Sequence, residues 1–361
     1  MEEKGKKGRM DYTLLLIVVL LVVIGLVILY STSAYNGQVK FHDSFYYLKK
    51  QAFATVLGIV LMLFVAGMDY HIWQRLAVFG YLAAVALSVA VMLFGREING
   101  SKRWLALGPF SFQPSEFAKV ALILFLADLV TKNVKTIGKM WTLCRIMFWI
   151  LPIVGLVGAS NLSTAIIILG IGVILIFVAS PKYAHFALMG IARACFMGIF
   201  LALESYRLER LAIWRNPEKY EKGYQTLQGL YAIGSGGVFG VGIGNSVQKL
   251  GFVPEAQNDM IFSIICEELG LAGAGIIVFL FLLLIWRFFL IASGSRDLFG
   301  ALIATGAMAH MMIQVILNIA VVTNTIPNTG ITLPFISYGG TSVMFLLIEM
   351  GLVLSVSQVV D

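Results

Sequence analysis

Apolar side chains run through this chain in unbroken blocks separated by short polar stretches. They show neither the alternation of a half-buried strand nor the one-sided recurrence of a surface helix. Ten blocks, each long enough or nearly so to cross a ~30 Å hydrocarbon core as a helix of roughly 20 residues, lie near residues 12–32, 51–67, 77–95, 116–131, 141–158, 162–180, 186–204, 262–289, 298–322 and 342–360. The pattern predicts an all-α, polytopic membrane protein of ten transmembrane helices, a single domain over 1–361 with a large extracellular loop, 205–261, between helices 7 and 8. Only Ala159, Ser160 and Asn161 separate the fifth and sixth blocks, so a nine-span alternative with one long kinked helix stays open.

Composition narrows the class further. Apolar residues make up 59% of the chain and charged residues 12%, against about 25% charged in an ordinary soluble domain. A secreted domain, a cytosolic enzyme and a β-barrel are excluded, the last because its strands would alternate over about ten residues. The three cysteines, Cys144, Cys195 and Cys266, fall in or beside apolar blocks and imply neither a disulfide framework nor a metal cluster.

The net charge of +7 is informative only when divided between the two sides of the membrane. Lys4, Lys6, Lys7 and Arg9 form a basic N-terminus, 1–11, that the positive-inside tendency holds in the cytoplasm. Ten spans then return the C-terminus to the same side, in a multi-pass membrane protein. Internal loops carry Arg75, Lys132, Lys135, Lys139, Lys182 and Arg296, as the rule expects. Arg96, Lys102, Arg103, Arg207, Arg210, Arg215, Lys219, Lys222 and Lys249 fall outside and demand another reason, although long loops translocate largely regardless of charge. The outer loop is too rich in aromatic and apolar residues (Tyr206, Trp214, Tyr220, Tyr224, Tyr231, Phe239, Phe252) for a solvated linker, so partly helical structure packed on the outer face is expected.

Four polar clusters gather on that outer side. In the first, Pro114 and Ser115 are helix-start residues that place Glu116 and Lys119 on one face of a first turn. A helix-dipole partner explains Glu116, but Lys119 at or inside the membrane carries a cost of up to about 2.5–3.5 kcal/mol, which points beyond a cap. The second, Gly234 to Gly244, is either a backbone cradle for phosphate or a site of tight packing and turns; it lacks the Lys-Ser/Thr of a nucleotide-binding loop. The third runs from Pro254 to Asp259 into the eighth block. Asp259 stands where water meets hydrocarbon, with Ser263 and Glu267 at i+4 and i+8, and reads as an N-cap or, with Asn258 able to cap, as a functional carboxylate. Glu267 and Glu268 lie about two turns deeper and are expected to face the bundle interior or a wet cavity. The fourth, Asn324 to Ser342, is broken by prolines and glycines and reads as irregular backbone walling a cavity.

Other chemistry is absent from the pattern. The four histidines, His310 alone in an apolar helix among them, show no metal-ligand spacing. There is no serine nucleophile elbow and no D-x-D to hold a metal on a nucleotide-sugar, so soluble activated sugars are not implied as donors.

The strings Gln113-Pro-Ser-Glu-Phe-Ala-Lys119, Gly223-Tyr-Gln-Thr-Leu-Gln228, Ala232-Ile-Gly-Ser-Gly-Gly237, Gln248-Lys-Leu-Gly-Phe-Val-Pro-Glu-Ala256, Asp259 to Gly270 and Gly330 to Gly340 resemble, in order and over nearly the whole chain, the SEDS family (FtsW/RodA/SpoVE). The Thr329 to Phe335 stretch is most similar to the division and sporulation branch. The resemblance implies a ten-helix glycosyltransferase that polymerises the lipid-linked disaccharide lipid II into peptidoglycan at the outer face of the membrane, partnered by a class B penicillin-binding protein transpeptidase, with no nucleic acid involved. Its catalytic carboxylate falls on Asp259 and its other functional pair on Glu116 and Lys119. One departure is Asn161, which replaces an acidic residue of many members, so no acid/base or cation-binding role is assigned there.

The chemistry agrees with that carry-over. An acceptor hydroxyl attacking an anomeric carbon that bears undecaprenyl diphosphate needs one general base and stabilisation of the departing diphosphate, by analogy with inverting glycoside chemistry. Asp259 is the candidate base. Beside Lys119, the candidates for contacting substrate or diphosphate are Lys102, Arg103, Arg207, Arg210, Gln248, Lys249 and Ser337. A divalent cation, Mg or Mn, is left open because no ligand spacing establishes one. A flippase for lipid-linked precursor and a non-catalytic scaffold for a transpeptidase are the competing readings.

Overall fold

The computed structural model describes residues 8–98, 101–107, 110–182 and 212–360. Ten α-helices are described: α1 (Tyr12–Phe41), α2 (Tyr46–Gly67), α3 (His71–Phe94), α4 (Pro114–Lys132), α5 (Met140–Ser160), α6 (Leu162–Ala179), α7 (Tyr224–Ser235), α8 (Ile261–Gly294), α9 (Leu298–Val322) and α10 (Gly340–Ser357). Eight of them, all but α4 and α7, have the length and apolar character of membrane spans. The block near 186–204 lies outside the described residues, as does the beginning of the 205–261 loop.

α4 shows why composition alone misjudges a central helix. It is 19 residues long, about 28 Å at 1.5 Å per residue, but carries Glu116, Lys119, Asp128 and Lys132. Its neighbours α3, α6 and α9 enclose it, and most of its side chains are buried, so its ionisable groups face protein and not acyl chains. A helix apolar around its whole surface meets lipid; one wrapped by other helices tolerates charge where partners are supplied.

The chain is not all-α. Three short strands, β1 (Arg96–Ile98), β2 (Ser101–Leu107) and β3 (Phe110–Phe112), form an antiparallel sheet in the order β1-β2-β3. The signal was present in the sequence: only Asn99-Gly100 separates β1 from β2, and Asn-Gly is the dipeptide favoured in two-residue hairpins. The one long kinked helix of the nine-span alternative does not form. Asn161 has φ −150° and ψ 92°, outside the helical region, and its side chain caps α6 by accepting from Thr164 N–H at 3.2 Å. Gly158 faces Ala165 and Ile150 faces Gly172, which is the pairing of an antiparallel helical hairpin.

α2 and α10 pack side by side, with Gly58 against Leu347 and Gly351 against the Met62 carbonyl; a Cβ at Gly351 would stand 2.6 Å from that oxygen. Small residues at such seams let backbones approach where no hydrophobic force separates helix from lipid. Both ends of the described chain meet at one end of the bundle: Gly8 N–H donates to the Gln358 carbonyl at 2.7 Å and Asp11 N–H to Ser357 Oγ at 3.1 Å.

α8 is two helices joined at a kink. Gly270 breaks it with φ 67° and ψ −169°. The glycine-rich stretch after α7 lies against that break and replaces the lost bonds: Val241 and Gly242 N–H donate to the Glu267 and Glu268 carbonyls, while Leu271 and Ala272 N–H donate to the Gly237 and Val238 carbonyls. Irregular backbone at membrane depth persists only when its polar groups find protein partners, and here two irregular segments satisfy each other. A Cβ at Gly236 would lie 1.8 Å from the Cys266 carbonyl oxygen, and one at Gly240 2.2 Å from that of Glu268. These glycines permit close packing. Of the two readings open for Gly234 to Gly244, tight packing and turns is the one these contacts support, with the Gly240, Val241 and Gly242 N–H groups spent on protein carbonyls.

Candidate active site

α4 begins with Pro114 at its first turn, and the i, i+3 spacing brings Glu116 and Lys119 together as the sequence predicts: Lys119 Nζ lies 3.0 Å from Glu116 Oε2. Both are buried, Lys119 to 1% exposure. Ser342 Oγ, in the first turn of α10, donates to the same Glu116 oxygen at 2.9 Å. Lys119 also donates to Gln314 Oε1 at 3.2 Å, and His310 Nε2 lies 2.9 Å from that oxygen. His310 Nδ1 is 2.8 Å from Glu349 Oε2 on α10.

Asp259 stands just before α8. The N-cap position itself is Met260, which makes no side-chain cap, so the N-cap reading of Asp259 does not hold. Its half-buried carboxylate accepts a long hydrogen bond of 3.4 Å from Gln225 Nε2 on α7. Gln225 in turn accepts from Asn328 Nδ2 at 3.3 Å. Gly330, at φ 68°, lies beside Asp259: a Cβ added there would stand 3.8 Å from Asp259 Oδ2. Burial, followed by the Glu255 carboxylate nearby, pushes the Asp259 carboxyl up to about 7, against the opposing pull of its own and Met260's N–H and of Gln225. A carboxyl poised there accepts a proton near neutral pH.

These two groups are not in contact; α9 joins them. His310, Gln314 and Asn318 occupy i, i+4 and i+8 on one face of that helix. Gln314 Nε2 donates to the Thr332 carbonyl at 3.1 Å, and Asn318 Nδ2 donates to the carbonyls of Asp259 at 2.9 Å and Ile331 at 2.7 Å. In the sequence His310 stands isolated in an apolar block, and nothing nearby marks Gln314, Asn318 or Glu349 as its partners. The signal that would have found them is this polar stripe inside an otherwise apolar block, since buried polar groups must be partnered.

The remaining candidates are placed as follows. Lys249 is buried, donating to Glu268 Oε1 at 2.6 Å and to Ser31 Oγ at 2.9 Å, so its charge is spent between the outer loop, α1 and α8. Glu267 accepts from Ser246 Oγ and, at 3.0 Å, from Val247 N–H, so both adjacent glutamates face the protein interior as expected. Gln248 sits beside this pair with its Oε1 buried and unpartnered. Ser337 is buried and its hydroxyl accepts from Leu333 N–H at 2.8 Å, holding the turn before α10. Arg103 on β2 donates through Nε to the Ser160 carbonyl at 3.0 Å, anchoring the sheet to the C-terminus of α5. Lys102 lies on β2 opposite Glu97 in the register. Arg207 and Arg210 lie outside the described residues. Among the described residues, no three or more His, Cys, Asp or Glu side chains converge as a metal site.

Comparison with known proteins gives one answer. A family model described as cell cycle protein, covering the FtsW, RodA and SpoVE proteins, matches residues 12–361. The chain is 40% identical over 366 residues to stage V sporulation protein E of Bacillus subtilis (strain 168), covering 98% of each protein. It is 35% identical over 353 residues to a probable peptidoglycan glycosyltransferase FtsW of Trichlorobacter lovleyi, covering 96% of this chain and 93% of that one. A solved chain from a study of the structural coordination of polymerization and crosslinking by a peptidoglycan synthase complex superposes with a TM-score of 0.83 at 30% identity, covering 96% of this chain and 97% of that one. The rod shape determining protein RodA of Thermus thermophilus superposes with a TM-score of 0.72 at 29% identity, covering 96% of each. With a family model matching residues 12–361 and relatives 35–40% identical over nearly the whole chain, this chain belongs to the FtsW/RodA/SpoVE family.

Proposed function

We propose that this protein is a peptidoglycan glycosyltransferase that polymerises lipid II at the outer face of the cytoplasmic membrane, with Asp259 as general base and undecaprenyl diphosphate as leaving group. The observation that carries this reading is the half-buried Asp259 carboxyl, pushed up to about 7 and held at the mouth of a helix that descends into the bundle. The acceptor sugar's hydroxyl gives its proton to Asp259 as its oxygen bonds to the anomeric carbon. The bond from that carbon to the diphosphate oxygen breaks, and the configuration inverts. A lipid tail in the bilayer and sugars in outer water are both served by a site at that boundary.

Lys119 acts from inside the wall. At 1% exposure it does not project into open space, so it supplies a fixed positive field and orients Gln314, with Glu116 as its counter-ion. Arg207 and Arg210 are the proposed contacts to the departing diphosphate.

The ten-span topology with both termini in the cytoplasm has two supports. The chain ends meet at one end of the bundle, which requires an even number of crossings. Eight apolar helices and α4 make nine, and the block near 186–204 completes the count on the sequence reading. The end holding the termini also holds Arg75, Lys132, Lys135 and Lys139, in keeping with the positive-inside rule. A class B penicillin-binding protein is the proposed partner, and division or sporulation the proposed process.

The deciding experiment is polymerisation of labelled lipid II by the purified chain in detergent, with and without a candidate partner and with a chelator. Glycan chains formed in micelles support the reading. Their absence in every condition, with transport of lipid-linked precursor between two compartments, would replace it with a flippase.

A further inference from the structure

Among the described residues the Asp259 carboxylate receives one side-chain hydrogen bond, at 3.4 Å from Gln225. What fixes its backbone is a buried amide on another helix. Asn318 is fully buried on α9 and spends both hydrogens of its Nδ2 on main-chain carbonyls from two separate segments, Asp259 at 2.9 Å and Ile331 at 2.7 Å. One side chain thus staples the end of the outer loop to the irregular stretch that follows Gly330.

The neighbouring turn repeats the device. Gln314 donates to the Thr332 carbonyl, and its own oxygen takes Lys119 Nζ and His310 Nε2. This orientation has no alternative: an ammonium only donates, so turning the amide over would aim its N–H groups at Lys119. His310 Nε2 therefore carries the hydrogen that it gives to Gln314. The 2.8 Å contact from its Nδ1 to Glu349 then holds a single hydrogen, and whichever atom carries it, the pair is neutral overall.

We propose that Asn318 is a positioning residue for the general base, joining the Asp259 and Ile331 main chains so that the carboxylate faces the acceptor hydroxyl, with Gln314 holding the next carbonyl of the same stretch in register. The inference rests on Asp259 being the base. Misplacing a catalytic group by about 1 Å costs about 100-fold, so the staple is expected to appear in turnover more than in substrate affinity.

The test compares Asn318→Ala, Asn318→Asp and Asp259→Asn with the unaltered full chain, in lipid II polymerisation with its activating partner, scaled to the folded fraction measured by size exclusion and thermal midpoint in detergent. Asn318→Ala is expected to lower kcat by about 10- to 100-fold with KM changed by less than about threefold, and to move the acid limb of the pH profile. Asn318→Asp, of the same size but presenting carboxylate oxygen to two carbonyls, is expected to be at least as impaired. A lower thermal midpoint with turnover per folded molecule and pH profile unchanged would overturn the proposal, as would normal activity of Asn318→Asp. Normal polymer from Asp259→Asn would instead remove the base assignment on which the proposal stands.

Discussion

Lys249 and Glu268 form an ion pair of 2.6 Å with both side chains nearly sealed from solvent, 7% and 3% exposed. The pair joins the outer loop to the buried half of α8, and Ser31 of α1 completes it by bonding both partners. Since Glu268 and the Asp259 loop lie on the same side of the break at Gly270, the pair ties the loop that precedes the proposed base to the bundle.

Removing one partner strands a buried charge. Lys249→Met or Glu268→Leu alone is expected to destabilise the protein by about 3–5 kcal/mol, seen as a lower thermal midpoint in detergent. The double variant should recover a large part of that loss, because no unpaired charge remains. A double variant as unstable as the sum of the singles would contradict the pairing.

Gly270→Ala places a Cβ 2.4 Å from Gly240 N at a positive φ. A non-glycine residue in that essentially glycine-only region costs on the order of 1–3 kcal/mol in backbone conformation, and forced overpacking costs typically about 1–3 kcal/mol more. The expected outcome is a fall in thermal midpoint much larger than for Gly275→Ala, whose Cβ would meet nothing within 4 Å. Equal midpoints would show that the helix break is not needed.

Asp259→Asn and Asp259→Ala remove the proton acceptor without removing buried apolar surface. Both should enter the membrane and elute as folded protein, and both should lose at least about 100-fold in polymerisation of labelled lipid II, the scale of general-base catalysis. Normal glycan chains from either variant would exclude the role.

The pH dependence follows from the same carboxyl. A base must be deprotonated to act, and with its carboxyl pushed up to about 7, kcat/KM should rise with pH and bend near that value. The Glu255 charge contributes to the upward push. Glu255→Gln should therefore move the acid limb to lower pH, and a limb that stays in place or moves upward would contradict the electrostatic account.

Part of the site was legible in the chain itself. The Glu116–Lys119 pair needed only a helix start at Pro114 and a spacing of i, i+3, and the inward turn of Glu267 and Glu268 followed from the cost of charge in hydrocarbon. The pairing of Lys249 is not legible in the chain because its partners, Glu268 and Ser31, come from distant segments. His310, Gln314 and Asn318 were passed over because each is a single polar residue in an apolar run; their common face has meaning only once the carbonyls opposite it are known.

Local physics decided the spans. Blocks of about 20 apolar residues have no stable state in water and few in a bilayer other than helix, so helices follow from composition and length, and Asn99-Gly100 marked even the small hairpin. What tertiary structure decided is which polar groups stay available for chemistry. In a medium without water each buried donor and acceptor must find a protein partner, and those partners come from segments far apart in sequence. Lys249 and the Gly240, Val241 and Gly242 amides are consumed in that way, while the Asp259 carboxyl, pushed up to about 7 by burial, remains able to take a proton near neutral pH.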